Sequence, residues 1–138
     1  MGSRRKAREV ALQVLYLCEF DAGQAESALN HFWRPGELDE RDLQFTRRIV
    51  QGVLANREAI DSYIVDSSEH WRLDRMAMVD RNILRLAVYE FLFMEQTPKK
   101  VIINEAIEIA KRFSTEESTQ FINGVLDSIR KRVEARAS

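Results

Sequence analysis

Residues 4–20 read RRKAREVALQVLYLCEF. Apolar side chains fall at Ala7, Val10, Ala11, Val14, Leu15, Leu17 and Cys18. Steps of three and four place them on one face of a helix. Ala, Leu, Arg and Glu, which dominate the stretch, all favour that state. Ser3 is the predicted N-cap, and Asp21-Ala22-Gly23 ends the pattern. A short helix over about 24–33 follows, with Ala25, Ala28, Leu29 and Phe32 inward. Arg34-Pro35-Gly36 then breaks the chain.

The same period continues beyond the break. Asp39 reads as an N-cap, with Asp42 in the first turn where a carboxylate suits the helix dipole. A long helix runs from there to about Val65, its stripe Leu43, Thr46, Ile49, Val50, Val53, Leu54, Ile60 and Ile64. Asp66-Ser67-Ser68 interrupts it, and a short turn is predicted around Trp71. A helix over about 75–95 carries Met78, Val79, Ile83, Leu86, Ala87, Phe91 and Leu92 inward, ending at Thr97-Pro98. Val101-Ile102-Ile103 is a strand-like run. It leads into Ala106, Ile107, Ala110 and Phe113 at helical spacing, and three β-branched residues are too few to outweigh that period. Ser114 or Thr115 caps a last helix, about 116–135, with Phe121, Ile122, Val125, Leu126, Ile129 and Val133 inward. Seven helices and no sheet result, three before the Asp66–Glu69 break and four after it. Short connections favour antiparallel neighbours and two stacked helical bundles.

Composition agrees. The chain has 138 residues, enough for one domain with its own core. Five Gly and two Pro leave few places to turn, against an all-β fold. A lone cysteine, Cys18, excludes an intrachain disulfide and reads as a small buried hydrophobe in a reducing compartment. No apolar run approaches the roughly 18 residues of a membrane span, and a cytoplasmic protein is expected. The net charge of −1 hides an asymmetry: residues 1–8 carry +4, residues 130–138 carry +3, and the middle carries −8. Basic ends on an acidic body point to a localised anion-binding surface or to solvated tails.

Enzyme signatures are missing. Gly23, Gly36, Gly52 and Gly124 are isolated, so no Gly-rich phosphate loop forms. His31, His70 and one Cys do not make a zinc site. The carboxylates sit in solvated i,i+4 pairs such as Glu37 with Arg41 and Glu108 with Arg112. What remains are surfaces. Arg4, Arg5, Lys6 and Arg8 open a helix whose dipole they oppose, which requires a nearby anion. Phosphate fits, since Arg grips it bidentately. Tyr16, farther along that helix, is placed to stack a base or to sit half-buried in the bundle. Lys111 to Ser118 forms a hydroxyl-rich loop opening the last helix, read first as an ordinary Ser/Thr cap. Arg81 and Arg85 share a face and need partners, either Asp80 and the acids of helix 116–135 or a docked protein, with Trp71 and Tyr89 as anchors. Asn104, Glu105 and Asn123 are expected to satisfy buried helix ends.

Four strings carry a resemblance. RRKAREVALQVLY at 4–16, DRNILRLAVYE at 80–90, INEAIEIAKRF at 103–113 and ES with FINGVLDSI at 117–129 are similar, in order and spacing, to bacterial transcription antitermination factors of the NusB family. Residues 21–75 match in length and helix pattern. The resemblance implies an all-α, NusB-like fold of about seven helices in two stacked three-helix-type bundles. It implies one RNA-binding domain over 1–138, with an N-terminal half 1–66 and a C-terminal half 67–138. It further implies no enzymatic activity and no cofactor. The implied partners are a boxA single-stranded RNA, the ribosomal protein NusE and the antitermination complex with RNA polymerase, at ribosomal RNA operons, without a membrane.

Carried onto this chain, the resemblance puts Arg4, Arg5, Lys6, Arg8, Tyr16, Glu117, Ser118 and Phe121 on the RNA face. Asp74, Arg75, Asp80, Arg85 and Tyr89 fall where NusE docks. Four phosphate contacts correspond to a log–log salt slope of roughly −3. Two other uses of the fold stay open at this point: an orphan of the helical module that accompanies ribosomal-RNA cytosine methyltransferases, and a protein-interaction or homodimerisation module without RNA.

Overall fold

The computed structural model describes residues 2–32, 38–68 and 72–137, and the side chains of Gly2, Ser3, Ala22 and Phe32 lie outside the description. The break at 34–36, the Glu37–Arg41 pair and the turn at Trp71 fall outside the described residues. Within them the chain is helical: α1 (Gly2–Cys18), α2 (Ala25–Phe32), α3 (Glu40–Ala55), α4 (Arg57–Ser67), α5 (Met78–Phe93), α6 (Lys99–Phe113) and α7 (Glu116–Ala137). Single 3₁₀ turns at Ala22–Gln24 and Leu73–Arg75 precede α2 and α5.

Local chemistry sets most of the ends. Asp39 accepts the Asp42 N–H at 2.8 Å and starts α3. Thr115 Oγ1 accepts the Ser118 N–H at 3.0 Å and starts α7. Asp21 accepts from Gly23 N and starts the first 3₁₀ turn. The backbone of Ser3 lies within α1, which begins at Gly2, and the capping expectation for its side chain falls outside the described residues.

The predicted long helix is two helices. Asn56 stands at φ −116°, ψ 20°, and both its backbone N–H and its Nδ2 donate to the Gly52 carbonyl. An Asn side chain that satisfies the backbone itself removes the need to continue the helix. The chain turns there, and α4 packs on α5 and α7. α4 thus joins α5 and α7, while it keeps contact with α3. Lys99 to Ile103 belong to α6, so the β-branched run is helical as expected.

α1, α2 and α3 pack together, α6 and α7 pack with α5, and α1 crosses onto α5. α5 is central. Every residue from Asn82 to Phe91 is buried, polar ones included. It meets α3 closely at one point: a Cβ added at Gly52 would overlap the Tyr89 ring. The Tyr89 ring in turn stacks on Phe93, with centroids 5.0 Å apart. Thr46 Oγ1, fully buried, donates to the Ala7 carbonyl at 2.9 Å and ties α3 to α1. Cys18 is core, as expected, and burial pushes its thiol pKa up. Leu17, expected inward, is exposed, as is Phe20. Asn104 and Asn123 are exposed too and satisfy no buried helix end.

Candidate nucleic-acid interface

The arginines that open α1 find their anions inside the chain. Arg8 donates through Nε and Nη2 to Glu90 at 2.9 and 2.8 Å. Both residues are buried, at 5% and 1% exposure. Arg5 makes the same two-pronged contact with Glu105, at 2.9 and 2.8 Å. Arg4 lies 3.3 Å from Asp42, with its guanidinium 4.1 Å above the Phe45 ring centre. Carboxylates of α3, α5 and α6 thus offset the unfavourable placement that the sequence analysis assigned to an external phosphate. Arg8 is sealed from solvent, whereas Arg4 and Arg5 keep partly exposed side chains. The Arg5 hydrogen bond is the main cause holding the Glu105 carboxyl below the usual range. Lys6 stands half-buried on the same helix.

Two aromatic rings continue this edge. Tyr16 is 37% and Phe20 70% exposed. Their centroids are 5.7 Å apart at 64°. The Glu9 carboxylate accepts from Arg112 of α6 at 3.1 Å, while Glu108 pairs with Lys111 at 2.9 Å. The predicted Glu108–Arg112 pair is therefore replaced by a cross-helix one.

Glu117, Ser118 and Phe121 come together on a cleft of about 370 Å³ between the start of α7 and the start of α5. Arg75, Met76 and Asp80 line its other wall. Residues assigned from sequence to two different partners thus share one concavity. Asp80 is buried and accepts a 2.6 Å hydrogen bond from Ser114 Oγ.

The remaining docking residues are divided. Asp74 and Arg75 are exposed. Arg85 is buried and bridges Asp61, at 2.8 and 3.1 Å, to Glu19, at 3.1 Å. Tyr89 is buried against Gly52. The Arg81–Arg85 repulsion is relieved by Glu19 and Asp61, not by Asp80 or the acids of α7. Glu19 also takes Arg81 Nε at 2.6 Å and Asn82 Nδ2 at 3.0 Å. Burial alone would raise the Glu19 pKa. Hydrogen bonds from Arg81 and Asn82, with the charges of Arg85 and Arg81, outweigh burial and hold it below the usual range. Sequence reasoning missed Glu19, Glu90 and Asp61, because a carboxylate's distant partner leaves no local spacing to read. Phe20 was legible as an aromatic just beyond the last apolar position of α1.

Among the described residues, no group of three His, Cys, Asp or Glu side chains could hold a metal ion. None of the helices is long and apolar enough to cross a membrane. Fold and site define a two-bundle helical protein with a cationic and aromatic edge on α1 and a cleft that carries Asp80 and Glu117.

Residues 5–131 match the model of the NusB family, and the chain belongs to that family. It is 50% identical to the transcription antitermination protein NusB of Trichlorobacter lovleyi, covering 94% of this chain and 91% of that one. A Myxococcus xanthus protein of the same name is 44% identical over 94% of this chain and 95% of its own. Among solved structures, T. maritima NusB superposes with a TM-score of 0.86 at 41% identity, covering 93% of this chain and 90% of that one. A structure of antitermination factors NusB and NusE in complex with double-stranded RNA superposes with a TM-score of 0.81 at 25% identity, covering 96% and 98%.

Proposed function

We propose that this chain is a transcription antitermination factor of one NusB-type domain over 1–138. It binds boxA-type single-stranded RNA together with the ribosomal protein NusE, within a complex with RNA polymerase in the cytoplasm. It promotes processive transcription of ribosomal RNA operons, and it acts by binding, not by catalysis. The observation that carries this reading is the family match across nearly the full chain, with relatives near 50% identity.

The geometry supports particular roles. Arg4, Arg5 and Lys6 attract phosphates at the start of α1, and Tyr16 offers a ring to an unstacked base. Arg8 acts from behind: clamped by Glu90, it fixes the helix that carries the others. Asp80 and Glu117 repel phosphates, so the cleft with Ser118 and Phe121 takes a base edge or partner side chain and not the RNA backbone. Asp74 and Arg75 meet NusE directly, while Asp80, Arg85 and Tyr89 shape that face from within.

The test is fluorescence anisotropy of a short labelled boxA-like RNA, with and without NusE, at several salt concentrations. Selective binding that NusE tightens and salt weakens supports the reading. Arg8 is buried on Glu90, whereas Arg4, Arg5 and Lys6 reach solvent; engagement of all three, with Arg5 leaving Glu105 for a phosphate, corresponds to a log–log salt slope of roughly −2. No binding under either condition, with a NusE-independent homodimer in light scattering, overturns it in favour of a protein-interaction module. A preference for a duplex over the single strand refutes the single-strand assignment.

A further inference from the structure

A cleft of about 610 Å³ opens between the start of α1, one face of α3 and the turn that joins α5 to α6. Arg4, Arg8, Arg41 and Arg48 line it, and Glu105 is the one carboxylate among its described lining residues. The groups behind the wall do not balance that charge. Asp42 holds Arg4, Glu90 holds Arg8, and Glu105 is taken by Arg5. Five guanidiniums thus meet three carboxylates, and the two left over are Arg41 and Arg48 of α3. Among the described residues, neither has a carboxylate within ion-pair distance. Both are exposed. Arg48 Nη2 donates to the Phe93 carbonyl at 3.0 Å, which fixes the side chain and leaves its other N–H donors for a ligand.

Three features narrow the ligand. Arg41, Gln44 and Arg48 follow one another at steps of three and four on one face of α3, which sets the two cations about 10 Å apart along the helix axis. Charges repeated along a strand suit that spacing better than one small anion does. Phe45 also lies at the cleft, but it is buried, with the Arg4 guanidinium 4.1 Å above its ring centre. Its face is closed to a base, so this wall meets phosphates and not stacked bases. Lastly, Arg4 belongs both to this cleft and to the edge at the start of α1. A strand that reaches Arg4 from that edge enters the cleft.

We propose that this cleft extends the RNA path onto α3, where Arg41 and Arg48 grip phosphodiesters of a strand that has passed Arg4. The inference rests on the RNA-binding reading above and adds to it a second helix with two named phosphate contacts. Phosphate contacts carry no sequence information. Arg41 and Arg48 therefore raise affinity for any strand long enough to reach them, and the choice of sequence stays with other groups.

The test uses the full chain as parent, as Arg41→Ala with Arg48→Ala, and as Arg41→Lys with Arg48→Lys. Anisotropy is read on a short labelled boxA-like RNA and on the same RNA extended by unpaired nucleotides at both ends. Two phosphate contacts add roughly −1.4 to the log–log salt slope. The parent's slope steepens from roughly −2 on the short RNA to roughly −3.5 on the extended one. The double alanine variant keeps roughly −2 on both, and its deficit on the extended RNA shrinks about 7-fold between about 50 and 200 mM salt. The lysine pair restores the steeper slope, and the preference for boxA over a scrambled sequence is the same in all three. If the double alanine variant matches the parent on the extended RNA while Lys6→Glu binds weakly, the extension is refuted and the RNA reading stands. Loss of NusE capture in the double alanine variant with both slopes intact assigns the cleft to a protein's carboxylates and also refutes it. If the parent binds neither RNA, both readings fall together.

Discussion

Replacing Glu90 with Gln leaves the Arg8 guanidinium buried opposite a neutral amide. The pair is bidentate at 2.9 and 2.8 Å, between side chains only 6% and 1% exposed. Gln keeps one acceptor and turns an N–H₂ group toward a group that has only donors. Breaking a buried pair from one side costs about 3–5 kcal/mol, and Glu105, 3.8 Å from Arg8 Nη1, remains as a second carboxylate that holds the loss toward the lower end of that range. At about 2.1 cal/mol/K per residue, unfolding 138 residues corresponds to about 0.3 kcal/mol per degree. The melting temperature of Glu90→Gln is therefore expected to fall by roughly 10–17 °C in a circular-dichroism or calorimetric melt. The loss persists in high salt, since a buried pair is screened little. Arg8→Met together with Glu90→Leu removes both charges and keeps the volume, and it is expected to be more stable than either single change. If Glu90→Gln melts within about 3 °C of the parent, Glu90 is not what holds Arg8 in place, and the reasoning that assigns the pair its stabilising role is refuted.

Other outcomes follow from the same packing. Gly52→Ala drives a methyl into the buried Tyr89 ring and is expected to destabilise by about 1–3 kcal/mol, read by urea titration. Glu19 and Glu105 both ionise below the ordinary value of 4.5. Their contribution is complete above about pH 4.5 and is lost as pH falls through the depressed values. The parent's melting temperature should drop steeply in that acid range, and Glu19→Gln should start lower and fall less. Lys6→Glu is expected to weaken RNA binding in anisotropy without lowering the melting temperature. Asp74→Lys with Arg75→Glu is expected to abolish NusE capture while free RNA still binds, and unchanged capture removes these two from the docking face.

Local pattern determined a great deal here. The 3.6 period of Val10, Val14 and Cys18, or of Ile122, Leu126 and Ile129, determined helices and their buried faces, because every turn repeats the same contact with the core. Asp39 and Thr115 were readable as caps because a cap acts within three residues. The resemblance strings lie on α1, α5, α6 and α7, which make most of the core. Other features were hidden. Asn56 splits a continuous apolar stripe because its side chain takes the Gly52 carbonyl, a choice that the stripe does not record. Leu17 and Phe20 continue an apolar helix into solvent, since the neighbouring helices do not cover that side of its end.

Charge was the least legible property. The sequence by itself determined that Arg4, Arg5 and Arg8 needed anions, because like charges at a helix start repel each other and oppose its dipole. Only the tertiary structure decided that Asp42, Glu105 and Glu90 supply them, across separations of 38 to 100 residues. A helix end makes its demand locally. Its answer depends on which distant carboxylate the packing brings into contact, and no spacing in the chain encodes that.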